Sequence, residues 1–263
     1  MHNDSPHVSR RADAYPDLDH VYAQCSGPGG LRLAEHMAEA MGLRNAATLV
    51  DIGSNRGLGT CFLAKEYGVT ALALDPWEDR EDSRPMVDHV ADNARAWGVT
   101  DRVFALRAGV PDTGFASRSF DFAYSTTTLE MIRSLQGEAG YQAALGEVHR
   151  ILKPGGVFGL GEPMHLEVPI PDDLRPYVTR GDFSWAECFS DLTSTVAQVS
   201  KAGFEIVHAE YAADATAWWD EFARHDPFAK ADPDGDPTTL RVDAGRWTSF
   251  GIVIARKPDA GRD

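Results

Sequence analysis

With 263 residues, 43% of them hydrophobic, the chain suffices for one large domain or two small ones with a sizeable core. Its formal net charge of −15 opposes nucleic acid and anionic membranes as partners, because both recruit clustered Lys and Arg. Three scattered cysteines, Cys25, Cys61 and Cys188, suggest neither a disulfide framework nor a zinc site, and no apolar run approaches the ~20 residues of a membrane span.

Residues 1–18 are polar, lack the apolar core of a signal peptide and read as a disordered leader. A reduced, cytoplasmic setting is the expectation. Helical spacing begins near residue 29 in "GGLRLAEHMAEAMGL", with Gly42 as its stop. "ATLVDIG" (47–53) is a buried-type strand, "GLGTCFLAKEYG" (57–68) the helix after it, and "VTALALD" (69–75) a second strand. A helix over 85–98, a strand over 102–109 and a fourth strand over 119–126 follow. The spacing then predicts a helix over 137–156, a strand over 156–164, one long helix over 184–204, and two last strands over 204–212 and 247–258. Residues 259–263 are a tail.

Strands that are apolar throughout and alternate with helices make a parallel sheet covered on both faces. The fold expected is therefore α/β and doubly wound, one domain over 19–258, with ligands at the carboxyl ends of the strands. Residues 213–246 interrupt the last strand pair as a lid-like insertion.

The first strand ends in an acid and then breaks into glycines: "LVDIGSNRGLGT". A dinucleotide site needs GxGxxG, but Asn55 stands where the second glycine belongs, and Asp51 would repel phosphates. S-adenosylmethionine fits better: its ammonium suits Asp51, and glycines admit the adenosyl group. The second strand ends in Asp75, placed to accept two ribose hydroxyls, and Trp77 follows as a stacking surface for adenine. The bland alternatives are that Asp51 caps a helix and Asp75 forms a turn before Pro76.

"VDIGSNRGLGT", "LALD", "SFDFAYSTTTLEMI" and "EVHRILKPGGVFGLGE" together resemble the motifs of class I S-adenosylmethionine-dependent methyltransferases that act on small molecules. The resemblance covers about residues 30–256. It implies a seven-stranded sheet whose last strand is antiparallel. It also implies that Asp51, Gly53, Ser54, Asn55 and Gly57 hold the methionine end and Asp75 the ribose, with Pro76, Trp77 and Ser125 close by. The family's adenine-binding acid is absent: Gly109 stands there, so the Val110 amide, or Asp112 from a shifted position, is expected to meet adenine.

The methyl acceptor is expected to be a small metabolite, through O, N, S or C. "YSTTTLE" is not the Asn-Pro-Pro-Tyr of nucleobase and protein amide methylation. His165, Glu162 and Glu130 are the candidate general bases near the ends of strands four and five, with Glu130 also read as facing solvent. Thr126 and Thr127 read as loop packing, and Glu147 and His149 as structural. "DPDGDP" lacks the Gly and Glu of a calcium loop, so no metal is expected. Trp218, Trp219, Phe222 and Phe228 are the expected roof of an apolar pocket, with a packed helix or a homodimer contact as alternatives. Three other readings stand beside methyl transfer: a cofactor-binding enzyme of another reaction, a nicotinamide oxidoreductase, and a non-catalytic partner subunit.

Overall fold

The computed structural model describes residues 10–25, 27–181 and 183–259. Seven strands form one sheet in the order β3-β2-β1-β4-β5-β7-β6. They are β1 (Thr48–Ile52), β2 (Thr70–Leu74), β3 (Val103–Leu106), β4 (Phe120–Thr126), β5 (Leu152–His165), β6 (Glu205–Tyr211) and β7 (Thr248–Arg256). Pairing is parallel except at β7, which runs antiparallel to both β5 and β6. The α/β architecture and antiparallel last strand expected from the sequence are therefore present.

The interior strands are apolar because both faces are covered. One face packs Leu49, Phe122, Ile252 and Ile254 beneath α2 (Gly30–Ala40) and α3 (Leu58–Tyr67), after α1 (Leu18–Gln24). The other packs Val50, Phe158 and Val253 beneath α5 (Leu129–Ile151), which follows α4 (Met86–Trp97). The chain winds from β1 outward to β3 and then returns to lay β4 on β1's other side. That reversal opens a crevice beyond the carboxyl ends of β1 and β4, where such sheets place ligands.

Four expectations need correction. The leader is not wholly loose: residues 11–14 form a 3-10 turn whose amides at Arg11 and Ala12 donate to the buried Glu35 carboxylate at 2.7 and 2.9 Å. Tyr15 stacks on Trp97 with ring centroids 4.6 Å apart. Residues 1–9 lie outside the described residues, as do 260–263 of the tail. Second, α5 is two helical segments joined at Gly137, whose φ of 67° and ψ of −173° are not helical: the expected start at 137 matches the second segment, while the first, from Leu129, was not expected, and β5 starts at Leu152.

Third, the single helix expected over 184–204 is two helices, α7 (Trp185–Cys188) and α8 (Leu192–Lys201), after the short α6 (Arg175–Val178). Asp191 restarts the helix by accepting from the Ser194 amide at 2.7 Å, while the Ser190 carbonyl accepts the His165 amide of β5 at 3.0 Å. Fourth, residues 213–246, expected as a lid-like insertion, are helical and pack on the fold. They hold α9 (Ala215–His225), α10 (Pro227–Ala231) and α11 (Asp236–Asp243).

Candidate active site

The glycine turn after β1 is held by backbone bonds before any ligand arrives. Gly53 and Ser54 donate their amides to the Leu74 carbonyl at 2.9 Å each, which ties the turn to the end of β2. Gly53 has φ +75°, and a Cβ there would collide with the Thr128 side chain, so glycine is required twice over. Asn55 takes φ 50° at a place where a bulkier residue would be strained.

Two acids meet this turn. Asp75 is 6% exposed and accepts the Asn55 amide through Oδ2 and the Trp77 amide through Oδ1, each at 2.9 Å. Each oxygen keeps a free lone pair, so two hydroxyls can still be accepted. Burial raises its pKa against the pull of those amides. Asp51 is 4% exposed and accepts the Thr60 hydroxyl at 2.5 Å. Burial pushes its carboxyl up to about 7, with nearby Asp75 adding to the rise. A cation beside it would reverse that shift.

The crevice has three compartments that share walls. The first is narrow, about 40 Å³, and is bordered by Asp51, Gly53, Ser54, Cys25 and Tyr124. The second, about 150 Å³, is lined by Asp75, Pro76, Trp77, Gly109, Val110 and Ile132. The third, about 230 Å³, opens between Tyr22, Met86, Met131 and Phe228. Asn55 borders all three, and Trp77, Thr127 and Met131 are shared by the second and third.

This cleft fits S-adenosylmethionine by the chemistry of its donors and acceptors. The buried hydroxyls of Ser54 and Thr127 have no partner among the described residues, and both face the crevice. They stand ready to donate to a carboxylate, while Asp51 is ready for an ammonium. Apolar Trp77, Pro76 and Val110 flank the ring-sized compartment beside Asp75. Asp112, the shifted acid, is exposed and is not part of that wall.

A family model for a methyltransferase domain matches residues 50–160. The match runs from β1 into β5, the part that carries the glycine turn and both acids. Among curated proteins, the chain is 25% identical over 196 residues to the sterol 24-C-methyltransferase ERG6B of Gibberella zeae, covering 72% of this chain. It spans about half, 48%, of that relative's length. Its fold is similar to that of phosphoethanolamine N-methyltransferase 2 from Haemonchus contortus in complex with S-adenosyl-L-methionine. That likeness has TM-score 0.70 and 19% identity, over 96% of this chain and 60% of that one. It is also similar to the [4+2]-cyclase SpnF, with TM-score 0.68 and 21% identity, over 88% and 82% of the two chains.

Several site residues expected from the sequence lie outside the crevice. Ser125 is buried and donates its hydroxyl to the Ile52 carbonyl at 3.0 Å, stitching β4 to β1 below the crevice. Gly57 packs against Val90 and shapes the turn without lining a compartment. None of the three candidate bases borders the crevice compartments. The His165 ring stacks on Trp247 with centroids 4.9 Å apart, and its Nδ1 lies 2.8 Å from the Leu166 carbonyl. Glu130, read as facing solvent, is 1% exposed, because it sits beside Glu162 at the foot of α5. Glu162 is itself fully buried.

Trp218 and Trp219 do not form a lid either. Both are buried, Trp218 edge-on to Phe250 and Trp219 donating its indole N–H to the Ser249 carbonyl at 3.1 Å. They clamp α9 onto β7. Phe228 alone of the aromatic segment is exposed at the crevice. Sequence reasoning missed several wall residues, among them Tyr22, Glu78, Glu81, Thr128, Met131 and Leu135. It also missed Arg56, which bridges Asp79 and Glu81 at 2.7 and 2.6 Å. Asp79, Asp82 and His89 converge near that arginine in a set that could hold a cation, but Arg56 and His89 already partner Asp79.

Proposed function

We propose that this chain transfers a methyl group from S-adenosylmethionine to a small metabolite. The observation that carries the reading is the pair of buried acids, Asp51 and Asp75, on adjacent strand ends around one glycine turn, with the crevice continuing past Trp77 to Phe228. Asp51, Ser54 and Thr127 would bind the amino-acid end, and Asp75 the ribose. The cofactor supplies an electrophilic methyl on a sulfonium.

The chain's own contribution is alignment and exclusion of water. Met131, Ile132 and Trp77 make the wall between the second and third compartments apolar, which favours a desolvated approach along one line. None of His165, Glu162 and Glu130 borders the crevice, and the glutamates that do, Glu78 and Glu81, are exposed and paired with Arg107 and Arg56, so proximity is the source of rate in this reading, and the acceptor would arrive deprotonated or carry an intrinsically reactive atom. Among the described residues no helix is long and apolar enough to cross a membrane. Three free thiols support a cytoplasmic setting. A homodimer gains no support from the tryptophans, which are buried within the chain.

A screen of candidate acceptors for release of S-adenosylhomocysteine tests the reading, with calorimetry of cofactor binding beside it. Binding of NAD and none of S-adenosylhomocysteine would overturn it. Tight S-adenosylhomocysteine binding with no methylated product across the screen would favour the second reading, a cofactor-binding enzyme of another reaction, which the likeness to a [4+2]-cyclase keeps in play.

A further inference from the structure

Below the crevice lies a buried polar cluster that the proposed reaction leaves unused. Glu130 stands in the first turn of α5 and Glu162 on β5, 1% and 0% exposed. Arg133 is the cation facing them, its Nη2 3.9 Å from Glu162 Oε2 and its guanidinium 3.8 Å above the Tyr141 ring. The Tyr141 hydroxyl donates to the same Glu162 oxygen at 3.1 Å. Glu138 reaches in from the surface to Arg133 Nε at 3.0 Å, and the Cys188 thiol points at the Glu130 carbonyl at 3.5 Å.

Charge does not balance if every acid here is ionised. Arg133 already faces Glu138 outside and Glu162 inside, and burial holds Tyr141 and Cys188 neutral. A second buried carboxylate would have no counter-ion, a state that is strongly unfavourable in a low dielectric. Glu130 Oε2 and Glu162 Oε1 have no partner among the described residues. Burial first, and then the neighbouring Glu162, drive the Glu130 carboxyl well above the usual range, while Arg133 only partly restrains the rise.

The position of the pair matters more than its charge. Residues on either side of Glu130 line the crevice: Thr127 and Thr128 before it, Met131 and Ile132 after it. Thr128 donates to the Thr126 carbonyl at 2.9 Å and lies 3.4 Å from the Gly53 carbonyl, while the Thr127 amide donates to Gly161, the neighbour of Glu162, at 2.9 Å.

We propose that Glu130 and Glu162 hold one proton between them and act as a positioning pair, seating the first turn of α5 against the glycine turn that receives the cofactor. The inference rests on the methyltransferase reading for its link to the cofactor. The pair itself touches neither cofactor nor acceptor. Loss of the shared proton places two anions at one spot, pushes α5 outward and withdraws Thr127 and Thr128 from the crevice.

The test is S-adenosylhomocysteine binding by calorimetry in the wild type, E130Q, E162Q and the double variant. Each single glutamine mimics the protonated partner and leaves one carboxylate for Arg133, so each single should bind within about threefold of wild type. The double variant strands Arg133 and should bind about tenfold more weakly than either single. Wild-type affinity should fall as pH rises beyond the Asp51 titration, and that fall should vanish in E130Q. A single variant as weak as the double one, a double variant equal to wild type, or an unchanged pH profile in E130Q overturns the proposal.

A second measurement needs no variant to bind anything. Infrared spectra of the wild type should show a protonated buried carboxyl above neutral pH that disappears in each folded single variant. Absence of that band in wild type refutes the shared proton. If wild type shows the band but binds no S-adenosylhomocysteine, the methyltransferase reading fails while the pair stands.

Discussion

Asp51 and Asp75 are both buried acids of one turn, yet their chemistry differs. Asp75 is bound by two backbone amides, so its replacement by Ala removes the ribose acceptors and also strips the Asn55 and Trp77 amides of their partner. Asp75→Ala should weaken S-adenosylhomocysteine by about 1.5–3 kcal/mol in calorimetry. Asp51 instead titrates in the working range. Its carboxyl lies near 7 in the folded chain, above its usual value. Ammonium binding needs the ionised form, so cofactor affinity should rise as pH climbs through about 7. The contribution to stability has the opposite sign. A carboxyl raised by folding stabilises fully below its unfolded pKa, and that stability is lost as pH rises through about 7. Thermal melts of the free chain across this window should decline, and added S-adenosylhomocysteine should reduce the decline. Both acids were legible in the sequence, because an acid at the end of an apolar strand is a local pattern. The wall residues Met131 and Leu135 were not. They belong to the helical segment before Gly137, and neither residue type announces a ligand.

At the scale of elements, the aromatic helix teaches most. Ala215, Trp218, Trp219 and Phe222 recur at i, i+3, i+4 and i+7, which is the spacing of a helix face buried against a sheet. That spacing was in the sequence, and it points to packing on β7 rather than to a roof. Trp219→Ala should therefore destabilise the fold by about 3–5 kcal/mol, as large aromatic truncations in cores do, and thermal denaturation would show it. Phe228→Ala should leave the melting temperature unchanged and raise KM for the acceptor, because that ring is 56% exposed and borders only the third compartment. Equal effects of the two changes would contradict this division. Gly137 offers a further check. Its φ and ψ lie in a region open almost only to glycine, so Gly137→Ala should cost about 1–3 kcal/mol of stability although nothing within 4 Å blocks a Cβ.

For the whole molecule, the segment before α1 belongs to the folded unit. Its amides satisfy Glu35, which is 4% exposed. Removing residues before Leu18 would leave that carboxylate buried without donors and uncover Trp97, at a cost of about 1–3 kcal/mol in chemical denaturation. An unaltered midpoint would show that this segment packs without contributing. The overall sheet was readable because strand and helix alternate with clear periods. The fate of residues 10–17 was not, since polar composition describes solvent preference and says nothing of two amides aimed at one buried acid.

The sheet order also sets a schedule for the growing chain. β6 pairs with no strand but β7, and β7 lies between β5 and β6. On a ribosome, β6 emerges first and has nothing to bond. β5 meanwhile keeps one edge bare, with its N–H and C=O groups open to any passing strand. Both gaps close together only when residues 248–256 arrive, after the insertion that carries Trp218 and Trp219. The tryptophans then dock on β7 in the same event, since Ser249 and Phe250 are their partners. Pairing of this half is thereby completed only by β7, and a chain cut before it would keep an open strand edge on β5.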